Sequence, residues 1–146
     1  MTTPLRREVI VNAAPQRAFD LFTGHIGAWW PLDRFGVYSD DTSAASTVAF
    51  EGELLVERSG ELQSVWGEVT SWDPPDSLGF TWHPGYAVEH ATDIAVTFAA
   101  EGDQTRVTLV HTGWERMTDP DASRDEYANG WPGVLARFAE LVDEVQ

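Results

Sequence analysis

The sequence predicts an α+β fold in which an antiparallel sheet packs against a long C-terminal helix. Short segments that alternate apolar and polar residues fill most of residues 46–112, with turn residues between them. This pattern is typical of an antiparallel meander with one buried face. Beyond residue 123 the apolar residues recur every three or four positions, which indicates an amphipathic helix. The length of 146 residues fits one domain, residues 1–146.

The N-terminal part of the chain predicts one strand and then two short helices. Residues 5–12 alternate in polarity and read as the first strand. Pro15 suits the first turn of a helix. The apolar stripe of this helix consists of Ala18, Phe19 and Phe22. Gly24 and Gly27 interrupt it and leave a second short helical turn before the next proline. The small polar residues 40–46 predict a loop.

The middle of the chain predicts a run of strands joined by hairpin turns. Ser59-Gly60 and Gly102-Asp103 have the composition of such turns. By alternation, the inward rows are Val48 and Phe50, then Leu54 and Val56, then Leu78, Phe80 and Trp82, and then Ile94, Val96 and Phe98. The sheet therefore presents a strongly aromatic inner face.

His111 continues the apolar row of Val107 and Leu109 in "TRVTLVHTGW", so it is predicted to face the C-terminal helix. Burial disfavours the imidazolium, so we expect a neutral ring unless a carboxylate lies beside it. A neutral ring needs one hydrogen-bond donor and one acceptor as partners. Two interpretations stay open: a core histidine bonded to a hydroxyl or backbone carbonyl, or a residue that orients the polar group of a ligand.

The C-terminal helix is predicted from a long apolar stripe. Its members are Tyr127, Trp131, Val134, Leu135, Phe138, Leu141, Val142 and Val145. The segment "SRDE", residues 123–126, matches a capping box and predicts the start of the helix there. Pro132 lies inside the stripe, so it predicts either a kink or a helix that starts near Trp131.

The composition excludes several functional classes. The net charge is −15, with 24 acidic and nine basic residues, and every basic residue is arginine. Such a surface repels phosphates, so neither nucleic acid nor membrane is an expected partner. The absence of cysteine and lysine excludes disulfides, thioesters and Schiff bases. The N-terminus has no signal-peptide pattern and no apolar run reaches about 18 residues, so a cytoplasmic protein is expected.

Other polar residues are also of types that form functional sites. Glu51 is predicted to face outward, while Glu68 would face inward only if a bulge at Gly67 changed the alternation. His83 and His90, with Glu89 and Asp93 nearby, are residue types that bind zinc, but their spacing favours a solvated loop over a metal site. No nucleophile elbow, phosphate loop, zinc-protease or dinucleotide motif is present.

Three segments together carry a resemblance to a known family. They are "GEVTSWDPPDSLGFTW" (residues 67–82), "TRVTLVHTGW" (residues 105–114) and "YANGWPGVLARFAELV" (residues 127–142), and "VIVNAAPQRAFDLFT" (residues 9–23) fits as well. Their order resembles the START/Bet v 1-like (SRPBCC) superfamily. Within it, the chain is similar to the C-terminal domain of the Aha-type activator of the 90-kDa heat-shock chaperone ATPase. The resemblance implies a helix-grip fold, a curved sheet around the C-terminal helix with an apolar cavity between them.

The predicted site follows from this cavity and from seven Trp and seven Phe. Its ligand-binding candidates are Trp30, Phe80, Trp82, Phe98, His111, Trp114 and Trp131. The first hypothesis is a binding module for a small, largely apolar or aromatic molecule, with no cofactor and no metal. A polyketide cyclase or aromatase that uses His111 and a carboxylate is the second. A chaperone-interaction domain is the third, and a protein partner or a homodimer is compatible with it.

Overall fold

The computed structural model describes residues 3–31, 46–84 and 86–145. The elements within these ranges are β1 (Leu5–Val11), α1 (Pro15–Gly24), α2 (Ile26–Trp29), β2 (Ser46–Glu51), β3 (Leu54–Ser59), β4 (Leu62–Asp73), β5 (Ser77–Trp82), β6 (Thr92–Glu101), β7 (Gln104–Thr112) and α3 (Pro120–Glu144). Short 3₁₀ turns occupy Val88–His90 and Trp114–Arg116. The predicted loop at residues 40–46 lies outside the described residues except for Ser46.

The strands form one antiparallel sheet in the order β1-β7-β6-β5-β4-β3-β2. Strands β2 to β7 are therefore a meander, and β1 closes one edge against β7. Gly60 and Gly102 have φ of +61° and +63° in the β3–β4 and β6–β7 turns, where glycine alone is unstrained. The curved sheet wraps α3, so the predicted α+β helix-grip fold and the two short helices after β1 are confirmed.

The long helix begins before the predicted capping box. Asp119 is the N-cap of α3, and its carboxylate accepts a hydrogen bond from the backbone N–H of Ala122 over 3.3 Å. The prediction that the helix starts at residues 123–126 is wrong, because Ser123 already lies within the first turn. Within the described ranges, no helix combines the length and apolar character that crossing a membrane requires.

Pro132 lies inside α3 and marks no helix start. A proline has no N–H, so the carbonyl of Ala128, four residues earlier, loses its helical partner. The guanidinium of Arg7 on β1 donates to this carbonyl over 3.3 Å. A side chain of the sheet thus replaces the hydrogen bond that the proline removes, and the helix continues to Glu144.

Helix α1 covers one end of the sheet with the predicted stripe. Phe19 and Phe22 both meet the Phe98 ring edge-on, with centroids 5.2 and 5.7 Å away. Phe22 also contacts Phe138 of α3, with a centroid distance of 5.3 Å. These rings form one aromatic group between α1, β6 and α3, so the predicted apolar stripe of α1 faces the sheet and α3.

One predicted inward row is out of register. Leu54 was expected to face the core, but it is exposed, while Leu55 is fully buried and pairs with Phe50 of β2. The turn between β2 and β3 contains just Gly52 and Glu53, so the cross-strand register determines which residues of β3 share the face of Phe50. The face of Phe50 therefore carries Leu55, Glu57 and Ser59, while Val56, which was predicted inward with Leu54, is buried as well but belongs to the alternate row.

Candidate functional site

Four tryptophan side chains meet between the sheet and α3, and each belongs to a different part of the chain. These four, called the central tryptophan cluster below, are Trp30 after α2, Trp66 on β4, Trp82 on β5 and Trp131 on α3. The ring centroid of Trp30 lies 5.3 Å from that of Trp66, 5.4 Å from that of Trp82 and 5.7 Å from that of Trp131. All four side chains are buried.

A bulge in β4 turns Trp66 into the cluster. Leu55 of β3 pairs with Gly67, but the next residue of β3 pairs with Val65, so Trp66 is the extra residue. The bulge leaves both Trp66 and Gly67 buried. A Cβ at Gly67 would lie 1.7 Å from the carbonyl oxygen of Thr81, so no larger residue fits there. The close approach of β4 and β5 therefore depends on this glycine.

Trp30 reaches the interior because α2 lies directly against β2. A Cβ at Gly27 would lie 2.8 Å from the carbonyl oxygen of Val48, a distance that real side chains do not tolerate. This contact buries the two residues at the end of the helix. Trp30 joins the central tryptophan cluster, while Trp29 packs 5.1 Å from the ring of Phe138 on α3.

His111 is completely buried and lies in a short chain of hydrogen bonds. The indole N–H of Trp131 donates to its Nδ1 over 3.2 Å. Because an indole can only donate, Nδ1 carries no proton, and the network therefore assigns the proton to Nε2. Nε2–H then donates to the hydroxyl of Thr92 over 2.6 Å, and that hydroxyl donates to the backbone carbonyl of Trp82 over 3.2 Å. Both ring nitrogens are thus occupied by structural partners.

Burial changes the pKa of two groups beside the cluster. Desolvation lowers the pKa of His111 from 6.5 to about 3, so its ring is neutral at physiological pH, as the sequence predicted. Desolvation also raises the pKa of Tyr127 to about 12, although the indole N–H of Trp82 donates to its hydroxyl over 2.9 Å. Neither group exchanges a proton near pH 7 in this environment.

The structure brings most of the predicted ligand-binding residues together. Trp30, Trp82 and Trp131 share the central tryptophan cluster, and Phe80 lies 6.0 Å from Trp82, centroid to centroid. His111 and Trp114 form a neighbouring group, in which their rings are 4.1 Å apart. The indole N–H of Trp114 donates to the backbone carbonyl of His111 over 3.1 Å.

Phe98 stands apart from the other predicted residues. Its ring contacts are with Phe19 and Phe22 of α1 and lie at the opposite end of the inner face. The expected site that joined Phe98 to Trp82 and His111 is therefore not one set of direct contacts, because Phe98 is linked to Trp30 of the cluster through Phe22 and Trp29.

Sequence reasoning missed the polar side of the cluster. Glu57 is fully buried, and its carboxylate accepts a hydrogen bond from the indole N–H of Trp66 over 3.1 Å. Ser59, two residues further along β3, is also buried. The signal was present as the Leu55, Glu57, Ser59 alternation. The assignment of Leu54 and Val56 to the inner face placed this alternate row outward.

The remaining polar candidates lie outside the cluster. Glu51 faces outward and pairs with Arg58 over 2.6 Å, as expected, and Glu68 is exposed despite the bulge. His83 Nδ1 lies 3.0 Å from the backbone carbonyl oxygen of Tyr86, and His90 Nδ1 lies 2.8 Å from that of Arg116. Among the described residues, no group of three or more His, Asp or Glu side chains could hold a metal ion.

The family follows from a match over most of the sequence. Residues 12–143 match the family described as Activator of Hsp90 ATPase homolog 1-like protein. The chain belongs to this family. No curated protein matches the sequence significantly. The predicted resemblance to the Aha-type branch of the SRPBCC superfamily is thereby confirmed.

Solved structures of similar proteins extend this comparison. An anthrahydroquino-gamma-pyrone synthase, Txn09, complexed with SUM, is 30% identical, with a TM-score of 0.64 over 95% of this chain and 96% of that one. A self-sacrificing resistance protein, CalC from Micromonospora echinospora, is 27% identical, with a TM-score of 0.65. The match covers 97% of this chain and 94% of CalC. The Aha1 dimer from Colwellia psychrerythraea, at 14% identity and a TM-score of 0.61 over 97% and 96%, shares the fold. The family and these neighbours fit a ligand-binding fold.

Proposed function

We propose that this Aha1-like protein binds a small, largely apolar aromatic molecule between its sheet and α3. The observation that carries the proposal is the central tryptophan cluster itself. Large aromatic side chains from four elements converge in the interior, and the buried N–H of Trp30 has no partner among the described residues. A flat aromatic ligand stacks favourably on such rings.

The comparisons support a ligand of this kind. Txn09, at 30% identity, is described as an anthrahydroquino-gamma-pyrone synthase and was solved as a complex with SUM. The name of that enzyme points to a fused aromatic product. A similar interior in this chain would hold a molecule of similar shape against Trp30, Trp82 and Trp131.

The arrangement around His111 favours binding over acid–base catalysis. Both nitrogens of the ring are engaged, and burial lowers its pKa to about 3. An effective general acid or base has a pKa near the working pH. Among the described contacts of His111 there is no carboxylate to restore its basicity. The cyclase alternative would therefore require a different acid or base.

Fluorescence titration with fluorene tests the proposal. Fluorene is an apolar tricyclic probe, and we expect saturable quenching of tryptophan emission by the wild-type protein. Trp30→Leu should weaken binding, because it removes a stacking face. The control is Tyr86→Leu, since Tyr86 is 51% exposed and lies outside the cluster. Absence of saturable binding by the wild type would refute the proposal.

The family match favours one second candidate, stimulation of the 90-kDa heat-shock chaperone ATPase. The exposed apolar side chains Tyr86 and Val88, 51% and 72% accessible, provide a surface that a protein could contact. Addition of the protein to the purified chaperone should raise the ATPase rate if this role is correct. A Tyr86→Ser, Val88→Ser double variant should then lose the effect.

A further inference from the structure

A pocket opens at the surface where strand β4 runs past the turn between β2 and β3. Pairing of β3 with β4 ends at Leu54 and Glu68, and one further hydrogen bond joins the N–H of Val69 to the carbonyl of Glu53 over 2.7 Å. Strand β4 itself continues to Asp73. The pocket beside this last part of β4 has a volume of about 420 Å³, which is enough for a small ligand. Its lining residues are Gly52, Glu53, Val69, Thr70, Ser71 and Trp72.

Trp72 gives the pocket an aromatic wall that is both fixed and accessible. Its ring meets Phe19 of α1 and Phe50 of β2 edge-on, with centroid distances of 5.3 and 6.0 Å. These contacts hold the indole in place, yet the residue remains 48% exposed. The face of an indole carries negative charge density and attracts a cation more strongly than a tyrosine or phenylalanine ring does. A cation that enters the pocket therefore meets an aromatic partner.

Glu53 brings a carboxylate to the same pocket. The residue is exposed, and its side chain takes part in no hydrogen bond or ion pair with the residues that the structure describes. Glu51, two positions earlier, is instead paired with Arg58. The carboxylate of Glu53 is thus available to a ligand, and the pocket lining contains no basic residue that would compete for it. A free carboxylate and an indole ring together favour a positively charged ligand.

The charge distribution of the whole chain adds to this preference. Acidic residues outnumber basic ones by 24 to nine. Every arginine in the described ranges donates a hydrogen bond to an oxygen of the chain itself, and these residues are Arg6, Arg7, Arg17, Arg58, Arg106, Arg116, Arg124 and Arg137. The acidic excess therefore sets the potential at the surface, and a negative potential raises the local concentration of cations.

We propose that this pocket is a second binding site, separate from the central tryptophan cluster, and that it takes a small organic ammonium cation. The ammonium group contacts the ring of Trp72, and the carboxylate of Glu53 balances its charge. A methylated ammonium suits this pair of groups, because it presents positive charge on an apolar surface that packs against an aromatic ring. The pocket is open to solvent, so binding there does not depend on access to the interior.

Choline and 3,3-dimethyl-1-butanol test the proposal, because they have nearly the same shape and differ in the replacement of the charged nitrogen by carbon. Titrations are followed by NMR of the indole N–H groups, and the Trp72 resonance is assigned by its absence from Trp72→Leu. At low salt the wild type should bind choline roughly tenfold more tightly than the alcohol, the combined effect of one cation–π contact and one exposed ion pair. The Trp72 resonance should shift, and the preference should shrink at about 0.5 M salt.

Two variants separate the contributions of the ring and of the carboxylate. Glu53→Gln keeps the size of the side chain and removes its charge, so it should reduce the preference for choline to roughly threefold. Trp72→Leu removes the ring and should weaken choline binding by a similar factor. The control variants are Glu61→Gln, which makes the same change of net charge, and Tyr86→Leu. Both alter exposed residues outside the pocket and should keep the preference.

The proposal fails if the wild type binds the two probes equally, or if choline leaves the Trp72 resonance unmoved. An unchanged preference in Glu53→Gln would also overturn it. If Trp72→Leu does not fold, Glu53→Gln decides the matter, since it alters an exposed side chain that has no partner among the described residues. Fluorene binding should be the same in Glu53→Gln as in the wild type, so the two sites stand or fall separately.

Discussion

The indole N–H of Trp131 donates to Nδ1 of His111 over 3.2 Å, so the long helix is bonded to strand β7 through a fully buried imidazole. Thr92 of β6 completes the arrangement on the other side of the ring. Three elements that are distant in the sequence therefore share one satisfied polar group. Such a group specifies how the helix sits on the sheet, because a shifted helix would leave buried donors without partners.

Replacement of His111 by phenylalanine should destabilise the protein by about 1–3 kcal/mol. The variant keeps an aromatic ring but leaves the N–H of Trp131 buried without an acceptor. Urea unfolding followed by circular dichroism measures the loss. His25→Phe, at an exposed position, is the control and should change stability by less than about 0.5 kcal/mol. Unchanged stability of the His111 variant would show that the hydrogen bond to Trp131 contributes nothing.

The same residue predicts a dependence of stability on pH. Burial lowers the pKa of His111 to about 3 in the folded state, against 6.5 for the free side chain. Between these values the unfolded chain takes up a proton that the folded protein does not. The contribution of His111 to stability is therefore complete above pH 6.5 and falls by up to about 1.4 kcal/mol per pH unit below it.

His111→Phe provides the comparison for this effect, since every other titrating group is retained. From pH 7 to pH 4 the wild type should lose about 3 kcal/mol relative to the variant, so its advantage in the free energy of unfolding should disappear or change sign. Parallel stability curves over that range would contradict a neutral, buried ring.

Arg7 and Pro132 should be energetically coupled through the carbonyl of Ala128. In the wild type, Arg7→Met removes the donor that this carbonyl uses in place of the missing helical N–H. In a Pro132→Ala background the helix supplies its own donor, so the same change should cost about 1 kcal/mol less. A double-mutant cycle by urea unfolding measures the coupling. Additive effects would show that Arg7 does not substitute for the helical bond.

Two glycines offer opposite predictions for the same change. Gly67→Ala should destabilise by about 4 kcal/mol or more, because the new Cβ would lie 1.7 Å from the carbonyl oxygen of Thr81. Gly133→Ala should stabilise by about 0.5–1 kcal/mol, since it lies in α3 with no atom within 4 Å of the added Cβ. Thermal unfolding of both variants checks the pair. A tolerated alanine at position 67 would show that β4 and β5 can separate there.

The candidate site was only partly predictable. Trp82, Trp131 and His111 were placed inward from alternation and helical spacing, and the structure puts them there. The wrong row was assigned on β3, because Leu54 and Leu55 are adjacent and equally apolar. Which of the two leucines is buried depends on which one pairs with Phe50 of β2, and no local sequence pattern encodes that pairing.

The sequence by itself determined the order of the elements, the inner aromatic face of the sheet and the neutral state expected for His111. These properties follow from periodicity and from the solvation of one side chain, which are local. Only the tertiary structure decided that a bulge turns Trp66 inward and that Trp131 reaches His111. Both depend on strand register or on contacts between residues far apart in the chain. Many alternative strand pairings are compatible with the same hydrophobic pattern. The folded arrangement is the one that also gives the buried polar groups their hydrogen-bond partners.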